Sequence, residues 1–452
     1  MRIHLIAIGG AVMHNMAIVL SRQGHRVTGS DDAINDPAKT NLANEGLLPA
    51  AIGFDEKSIS EDIDVVILGM HARLDNPELK RAQALGLKVV SFPEYLFEIA
   101  KNKKRIVVAG SHGKTTITSM IMHVLTYAAL DFDYMVGARV KGFDTAVRLT
   151  ETAPIIILEG DEYLASPLQP ESKFMFYKPH VALISGIAWD HINVFPVYED
   201  YVNQFVKFTN SIESSGSLIW CEEDAELMRV APQFNSEVKQ LTYRTPSHEI
   251  ENGVTCLITE RGDYELKVFG KHNLMNLEGA RLVCNEIGVS DAVFYTAIQS
   301  FEGAANRLQL LFKNNTTIVF KDFAHSPSKL KATVDAARSQ FAERKLIAVM
   351  ELHTFSSINE NFLPEYAGSM DVADVPIVYL DEHTFALKQM NMLQDDAVKE
   401  AFNNQELQII RSPKALKEKL LSEDWGNSCL LLMSSGNFGG LGVEELIQSK
   451  VA

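Results

Sequence analysis

The sequence predicts an α/β protein of three domains: a Rossmann-like first domain, a central domain of mostly parallel sheet around a phosphate loop, and a Rossmann-like last domain. Three observations carry this. Short β-branched runs alternate with segments of helical period along nearly the whole chain, as parallel sheets covered by helices require. One alternation passes through Gly113-Lys114-Thr115-Thr116, where a strand gives way to a helix across a glycine turn. Two breaks, the charge cluster Lys101-Asn-Lys-Lys-Arg105 and the stretch Phe301-Glu-Gly303-Ala-Ala-Asn-Arg307, divide the chain into expected domains 1–101, 102–300 and 301–452.

The bulk properties agree with this outline. At 452 residues the chain exceeds what one hydrophobic core serves well. Its formal net charge of −16 argues against nucleic-acid or anionic-membrane partners, while a local cradle can still hold phosphate. The cysteines, Cys221, Cys256, Cys284 and Cys429, are widely spaced without a C-x-x-C pair, so reduced thiols are expected and neither zinc nor a disulfide framework is indicated. The start of the chain reads as a strand and lacks signal-peptide flanks, and no apolar run could span a bilayer, so a cytoplasmic protein is expected.

In the first domain, a strand at Ile3–Ile8 enters the turn Gly9-Gly10, and a helix follows from Ala11 to about Arg22 with Met13, Met16, Ala17 and Leu20 on its apolar face. A second strand from Arg26 ends at Ser30-Asp31-Asp32, roughly 20 residues past the turn, the spacing at which nucleotide-binding βαβ units meet a ribose. The G-x-G-x-x-G fingerprint is incomplete, because Met13 and His14 stand where glycines would. Both a nicotinamide dinucleotide and a nucleotide-diphosphate substrate held at Gly9 and Gly10 fit this pattern. Strands at Val65–Gly69 and Lys88–Ser91 alternate with helices at Asn76–Leu85 and Glu94–Ala100. His71 follows a strand end, where open parallel sheets gather ligands, although a loop histidine without a role fits as well.

The central domain opens on Arg105-Ile-Val-Val-Ala and the loop Gly110-Ser111-His112-Gly113-Lys114-Thr115-Thr116, followed by a helix with Met120, Ile121, Val124 and Leu125 at helical spacing. Glycines let backbone N–H groups converge on phosphate, Lys114 adds a full positive charge, and the Thr115 hydroxyl can ligate Mg²⁺. Val108 occupies the position of the first glycine in the strict G-x-x-x-x-G-K-[ST] pattern, which suggests a nucleotide enzyme outside the main P-loop group. The apolar run Ile155–Leu158 delivers Glu159-Gly-Asp161-Glu162 to its strand end, supplying the carboxylate Mg²⁺ needs. Val181–Gly186 leads to Asp190-His191, a candidate catalytic or metal pair. From about Ser217 to Phe269 the pattern changes to short strands, with a hairpin across Thr259–Asp263. Gly270-Lys271-His272-Asn273 then opens a helix, where Asn273 either caps it or reads an adenine edge.

In the last domain, strands at Thr317–Phe320, Leu346–Met350, Val375–Leu380 and Cys429–Met433 alternate with helices near Ser326–Ala337 and Pro413–Leu421. Asp322 and His325 end the first of these strands, and Ser434-Ser-Gly436-Asn-Phe-Gly439-Gly440 ends the last.

Taken in order, Gly113-Lys114-Thr115-Thr116, Glu159-Gly-Asp161-Glu162, Asp190-His191, His272-Asn273-x-x-Asn276, Gly303…Arg307-Leu and Asp322-Phe-Ala-His325 resemble the Mur ligases, the ATP-dependent amide-forming enzymes of bacterial cell-wall synthesis. The likeness runs over essentially the whole chain. Within the family, Ile-Gly9-Gly10 and Gly29-Ser30-Asp31 look like the branch that takes UDP-N-acetylmuramate. Glu159–Tyr163 and Met433–Gly440 look more like the murein peptide ligases, which attach a recycled tripeptide, than like the L-alanine-adding branch.

The resemblance implies that Gly110, Ser111, His112, Gly113, Lys114, Thr115 and Thr116 hold the ATP phosphates, and that Thr115, Glu159 and His191 serve Mg²⁺. It implies that Asn273 faces adenine and that Arg307 and Asp322 meet phosphate and ribose. Gly9, Gly10, Ser30, Asp31, His71 and His325 would contact the UDP-sugar or amine substrate, with catalysis resting on Lys114, Glu159, His191 and Arg307. The implied reaction joins the UDP-N-acetylmuramate carboxylate to the amine of L-alanyl-γ-D-glutamyl-meso-diaminopimelate through an acyl phosphate. L-Alanine is the alternative amine, and a non-catalytic nucleotide-sugar binder the alternative of another class. Four features depart from the family pattern: Gly186 where relatives usually carry asparagine, Ser326 where close relatives often carry histidine, the bulky loop Ala11–Asn15, and Val206 near the place of a carbamylated lysine.

Overall fold

A computed structural model describes residues 1–137, 140–189 and 194–451. The first sheet holds β1 (Arg2–Ile6), β2 (Arg26–Ser30), β3 (Val65–Leu68) and β4 (Val89–Ser91), all parallel, in the order β2-β1-β3-β4. Every residue of β3 is buried, as expected of a parallel strand covered on both faces. The chain leaves β1 at the point where the strand order reverses, so the Gly9-Gly10 turn and the following helix, Ala11–Arg22, stand where open sheets place ligands. The helix Phe92–Ala100 begins with a Ser91/Glu94 capping box and Pro93 in its first turn, which explains its start two residues before the sequence expectation.

The second sheet has seven strands. They are β5 (Lys104–Ala109), β6 (Phe132–Met135), β7 (Val147–Arg148), β8 (Ile155–Glu159) and, beyond the small antiparallel pair β9 (Leu164–Ser166) and β10 (Gln169–Ser172), β11 (Val181–Ile184), β12 (Ser217–Cys221) and β13 (Lys239–Tyr243). The order is β13-β12-β11-β5-β8-β6-β7, parallel except for β7. Central β5 lies between β8 and β11, and its two neighbours bring Glu159 and Gly186 to either side of the loop that follows Ala109. The change of pattern expected from Ser217 comes later, because β12 and β13 extend this parallel sheet. Within that stretch, β14 (His248–Glu251), β15 (Val254–Thr259) and β16 (Gly262–Leu266) form a separate antiparallel sheet, and the hairpin is tighter than expected since Thr259 pairs with Gly262.

The last sheet contains β17 (Gln309–Lys313), β18 (Thr317–Asp322), β19 (Lys345–Glu351), β20 (Val375–Tyr379), β21 (Gln408–Ile410) and β22 (Ser428–Met433), ordered β17-β18-β22-β19-β20-β21. All pairs are parallel except β17 with β18. Its two faces bury separate cores: Leu346, Ala348, Met350 and Leu431 pack with Leu330 and Val334 on one side, and Ile347, Val349, Leu430 and Leu432 with Leu416 and Leu446 on the other. Period-two alternation in buried strands produces this division.

The chain divides into two compact units. One comprises Met1–Ile187, Tyr198–Arg244 and Gly279–Phe294 and holds the first two sheets. Inside it, Asn15 Oδ1 accepts from the Ala146 amide at 3.2 Å, and the Gln23 amide donates to the Leu149 carbonyl at 2.7 Å. The other unit includes Thr245–Glu278 and the chain from Tyr295 onward. There the antiparallel sheet is tied to the last one through the Thr255 hydroxyl on Gln340 Oε1 (2.8 Å) and Phe269 packed edge-on to Phe320 and Phe341. No described helix is long and apolar enough to cross a membrane.

Candidate active site

The Gly110–Thr116 loop is shaped by two glycines with positive φ. Gly110 has φ +122°, and a Cβ there would lie 2.1 Å from Ser185 Oγ. Gly113, at φ +79°, starts the helix Lys114–Tyr127. Left-handed backbone and close approach both demand glycine at Gly110. The loop is anchored to β11 by the Ser111 amide on the Gly186 carbonyl (2.9 Å) and by the Ser185 hydroxyl on the His112 carbonyl.

Lys114 folds back over this loop, its Nζ donating to the Gly110 carbonyl at 2.6 Å and to Glu162 Oε2 at 2.9 Å. Burial works against its charge, but Glu162, Asp161 and Glu159 outweigh that and hold its pKa above the ordinary lysine value. The ammonium therefore stays charged, as phosphate stabilisation requires.

Thr115 Oγ1 donates to Glu159 Oε1 at 2.9 Å, while Glu159 Oε2 accepts from the Gly137 amide at 2.9 Å. A hydroxyl and a carboxylate are hard oxygen donors of the kind Mg²⁺ takes. Among the described residues no group of three or more His, Cys, Asp or Glu side chains could hold a metal ion. Asp190 and His191 lie outside the described residues.

Gly186, one of the departures noted in the sequence, has a structural explanation. A Cβ there would meet Asp224 Oδ2 at 2.7 Å, and that same oxygen accepts from the Ile187 amide at 3.2 Å. The Asp224 carboxylate fills the space that a side chain at 186 would take. Burial raises its pKa, opposed by the Leu227 and Ile187 amides.

At the first sheet, Asp31 Oδ2 accepts from the Gly9 amide at 2.7 Å, and a Cβ on Gly9 would lie 3.0 Å from that oxygen. Burial pushes the Asp31 carboxyl upward, against the pull of the Gly9 amide. The Ser30 hydroxyl donates to Glu78, which is fully buried, and His4 Nε2 lies 3.2 Å from the same carboxylate oxygen. The Ser30 carbonyl accepts from the Ala7 and Ile8 amides at 2.9 and 3.1 Å, and with the Asp31 carboxylate it holds the turn that carries Gly9 and Gly10. His71 is exposed in the turn after β3.

A second group of candidate residues converges in the other unit. Asp322, buried at the end of β18, accepts from the Leu308 amide at 2.6 Å and the Ala324 amide at 2.7 Å. Asn306 and Leu308 both have positive φ, so this carboxylate fixes a strained turn that presents Arg307. The Arg307 guanidinium lies 4.6 Å from the centre of the Phe323 ring, and His325 meets that ring edge-on. His272 has its pKa lowered by burial, partly offset by the Asp322 charge. Asn273 lies inside the first turn of the helix Lys271–Glu286 rather than at its cap, with its amide donating to the Phe269 carbonyl at 2.9 Å.

Sequence reasoning missed one cluster in this unit. Glu351, 1% exposed at the end of β19, accepts from the Ser434 hydroxyl and from the Phe438 amide at 2.9 Å. His353 Nδ1 lies 3.7 Å from Glu351 Oε1, and a Cβ on Gly436 would come within 2.9 Å of both side chains. Buried polar atoms without a hydrogen-bond partner gather at these strand ends: His353 Nδ1, Tyr379 Oη and Ser435 Oγ. The only available signal was the polar loop Ser434–Gly440, because Glu351 is an unremarkable strand end until β22 is placed beside β19.

Open parallel sheets with a lysine-bearing phosphate loop and a threonine–carboxylate pair define a nucleotide-dependent α/β enzyme. The comparisons narrow this class. Residues 2–104 match the model described as Mur ligase family, catalytic domain, residues 108–284 the Mur ligase middle domain, and residues 306–436 the Mur ligase, glutamate ligase domain. A UDP-N-acetylmuramate–L-alanine ligase of Sulfurihydrogenibium sp. is 32% identical over 83% of this chain and 82% of its own length. Among solved structures, a UDP-N-acetylmuramate-alanine ligase of Thermotoga maritima matches with TM-score 0.73 and 20% identity over the full length of both chains. A UDP-N-acetylmuramate:L-alanyl-γ-D-glutamyl-meso-diaminopimelate ligase of Neisseria meningitides matches with TM-score 0.60 and 25% identity over 66% of this chain and 98% of that one. The chain belongs to the Mur ligase family, whose members are ATP-dependent amide-forming ligases.

Proposed function

We propose that this ligase joins the carboxylate of UDP-N-acetylmuramate to L-alanine. The observation that carries this choice of amine is the 32% identity, over most of both chains, to a ligase of that name. It reverses the preference that the short stretches Glu159–Tyr163 and Met433–Gly440 suggested. A second reading, the tripeptide as amine, keeps the support of those stretches and of the Neisseria structure at 25% identity.

A carboxylate is a poor acyl donor because it would have to expel oxide. Transfer of the ATP γ-phosphoryl group makes an acyl phosphate, and the amine then displaces phosphate through a tetrahedral intermediate. Both steps build negative charge on oxygen. In this reading the loop amides from Gly110 to Thr116 and the Lys114 ammonium hold the phosphates. Thr115 and Glu159, together with His191, would hold Mg²⁺, which when bound neutralises phosphate charge. Gly9, Gly10, Ser30, Asp31 and His71 would serve the UDP-sugar, and His325 the substrates on the last sheet. The buried Glu351 carboxylate, with His353 beside it, suits the ammonium of the incoming amine.

The deciding experiment gives purified protein UDP-N-acetylmuramate and Mg-ATP and follows phosphate release. L-Alanine should stimulate release at least tenfold more than the tripeptide. The reverse ranking would establish the second reading, and no stimulation by either amine would remove both.

A further inference from the structure

Beside the Gly110–Thr116 loop lies a side chain to which neither the sequence nor the family resemblance gave a role. Tyr201 lies on the helix Tyr198–Thr209 with its side chain fully buried, its ring packed edge-on against Phe205 at 5.3 Å. Its hydroxyl donates to Glu162 Oε1 at 3.1 Å and lies 2.7 Å from Ser111 Oγ. With the Tyr201 proton directed to Glu162, Ser111 is the donor in the second bond. Glu162 is itself fully buried, and its other oxygen takes Lys114 Nζ at 2.9 Å. One phenol therefore joins the phosphate loop to the counter-ion of the lysine on that loop.

We propose that Tyr201 is a positioning residue for Lys114, acting through Glu162. The inference rests on the reading of this loop as the ATP site. Lys114 points back at Gly110 and Glu162, so it must exchange these partners for phosphate oxygens when nucleotide binds. A buried carboxylate that loses its cation is costly unless hydrogen bonds still hold it. Tyr201 Oη stays as a donor on Glu162 during that exchange and keeps Ser111, at the start of the loop, in register with it. Without the hydroxyl, the exchange leaves a less stabilised anion, and nucleotide binding weakens. The chemical step, which follows once Lys114 has reached phosphate, changes little.

The test is calorimetric binding of a non-hydrolysable ATP analogue with Mg²⁺ to the full chain, which needs no amine. Tyr201→Phe keeps the ring and removes the hydroxyl, and should raise the dissociation constant about tenfold, the size expected for one hydrogen bond to a charged group. In turnover assays KM for ATP should rise by a similar factor, with kcat within about twofold. In a Glu162→Gln background the added effect of Tyr201→Phe should largely vanish, because the two residues act as one unit. Phe234→Leu, in the same unit but packed edge-on against Trp220, supplies the control, lowering thermal stability through lost packing while leaving the dissociation constant unchanged. A wild type that binds and a Tyr201→Phe variant that binds equally well would overturn the role of Tyr201 alone. Full additivity with Glu162→Gln would also overturn it. Failure of the wild type to bind nucleotide would instead remove the ATP reading beneath it.

Discussion

Single residues carry the sharpest expectations. Lys114→Met keeps most of the side chain's bulk but removes the charge that the proposed reaction places on phosphate and the transition state, so kcat/KM for ATP should fall by about 10³-fold in a coupled phosphate assay. Gly110→Ala should be more damaging to the fold than to the chemistry. Its Cβ would fall 2.1 Å from Ser185 Oγ on a backbone with φ +122°, and we expect a loss of about 2–4 kcal/mol by denaturant titration. Gly186→Asn restores the side chain usual in the family and should destabilise by about 1–3 kcal/mol, because Asp224 occupies that space. Asp224→Ala in the same chain should recover part of the loss. If Gly186→Asn alone is neutral, the space-filling explanation is wrong.

Elements show where the sequence was legible. β3, β5, β8 and β22 are buried β-branched or leucine-rich runs bounded by polar turns, and such strands announce themselves. β17 went unseen because it is largely exposed and carries an irregular register between Leu310 and Phe312, and β21 because it spans only Gln408–Ile410. The candidate site divides in the same way. Lys114, Thr115 and Glu159 sit in local motifs that read directly, whereas the Lys114–Glu162 pair and the Glu351 cluster depend on which strand ends become neighbours. For the latter, Glu351→Ala would leave the Phe438 amide and Ser434 hydroxyl without their acceptor, costing about 2–4 kcal/mol. Glu351→Gln should retain most of that stability yet raise KM for the amine. Unchanged KM would detach the cluster from amine binding.

For the whole molecule, acidity should be destabilising in a definite window. His14, His180 and His272 each have their pKa lowered, chiefly by burial, so the folded chain holds them neutral. The unfolded chain binds protons at these histidines at about pH 6.5, before the folded chain does. Their contribution is therefore complete above that pH and is lost as pH falls through the lower folded values. The urea midpoint should drop between pH 7.5 and 5.5, and His14→Gln should flatten part of that slope. Equal midpoints for the unaltered chain at the two pH values would contradict the assignment.

The inward fold of Lys114 has a consequence for how nucleotide affinity responds to ionic strength. Before any ligand arrives, the ammonium already has a carboxylate neighbour at 2.9 Å, so the loop offers diffusing anions little net attraction. In the proposed site, binding would swap one enclosed ion pair for another, and mobile ions screen enclosed pairs weakly. ATP should accordingly lose less affinity between 50 and 500 mM potassium chloride than it would at a lysine standing free in water (concentrations chosen so that the Debye length falls from about 14 to about 4 Å).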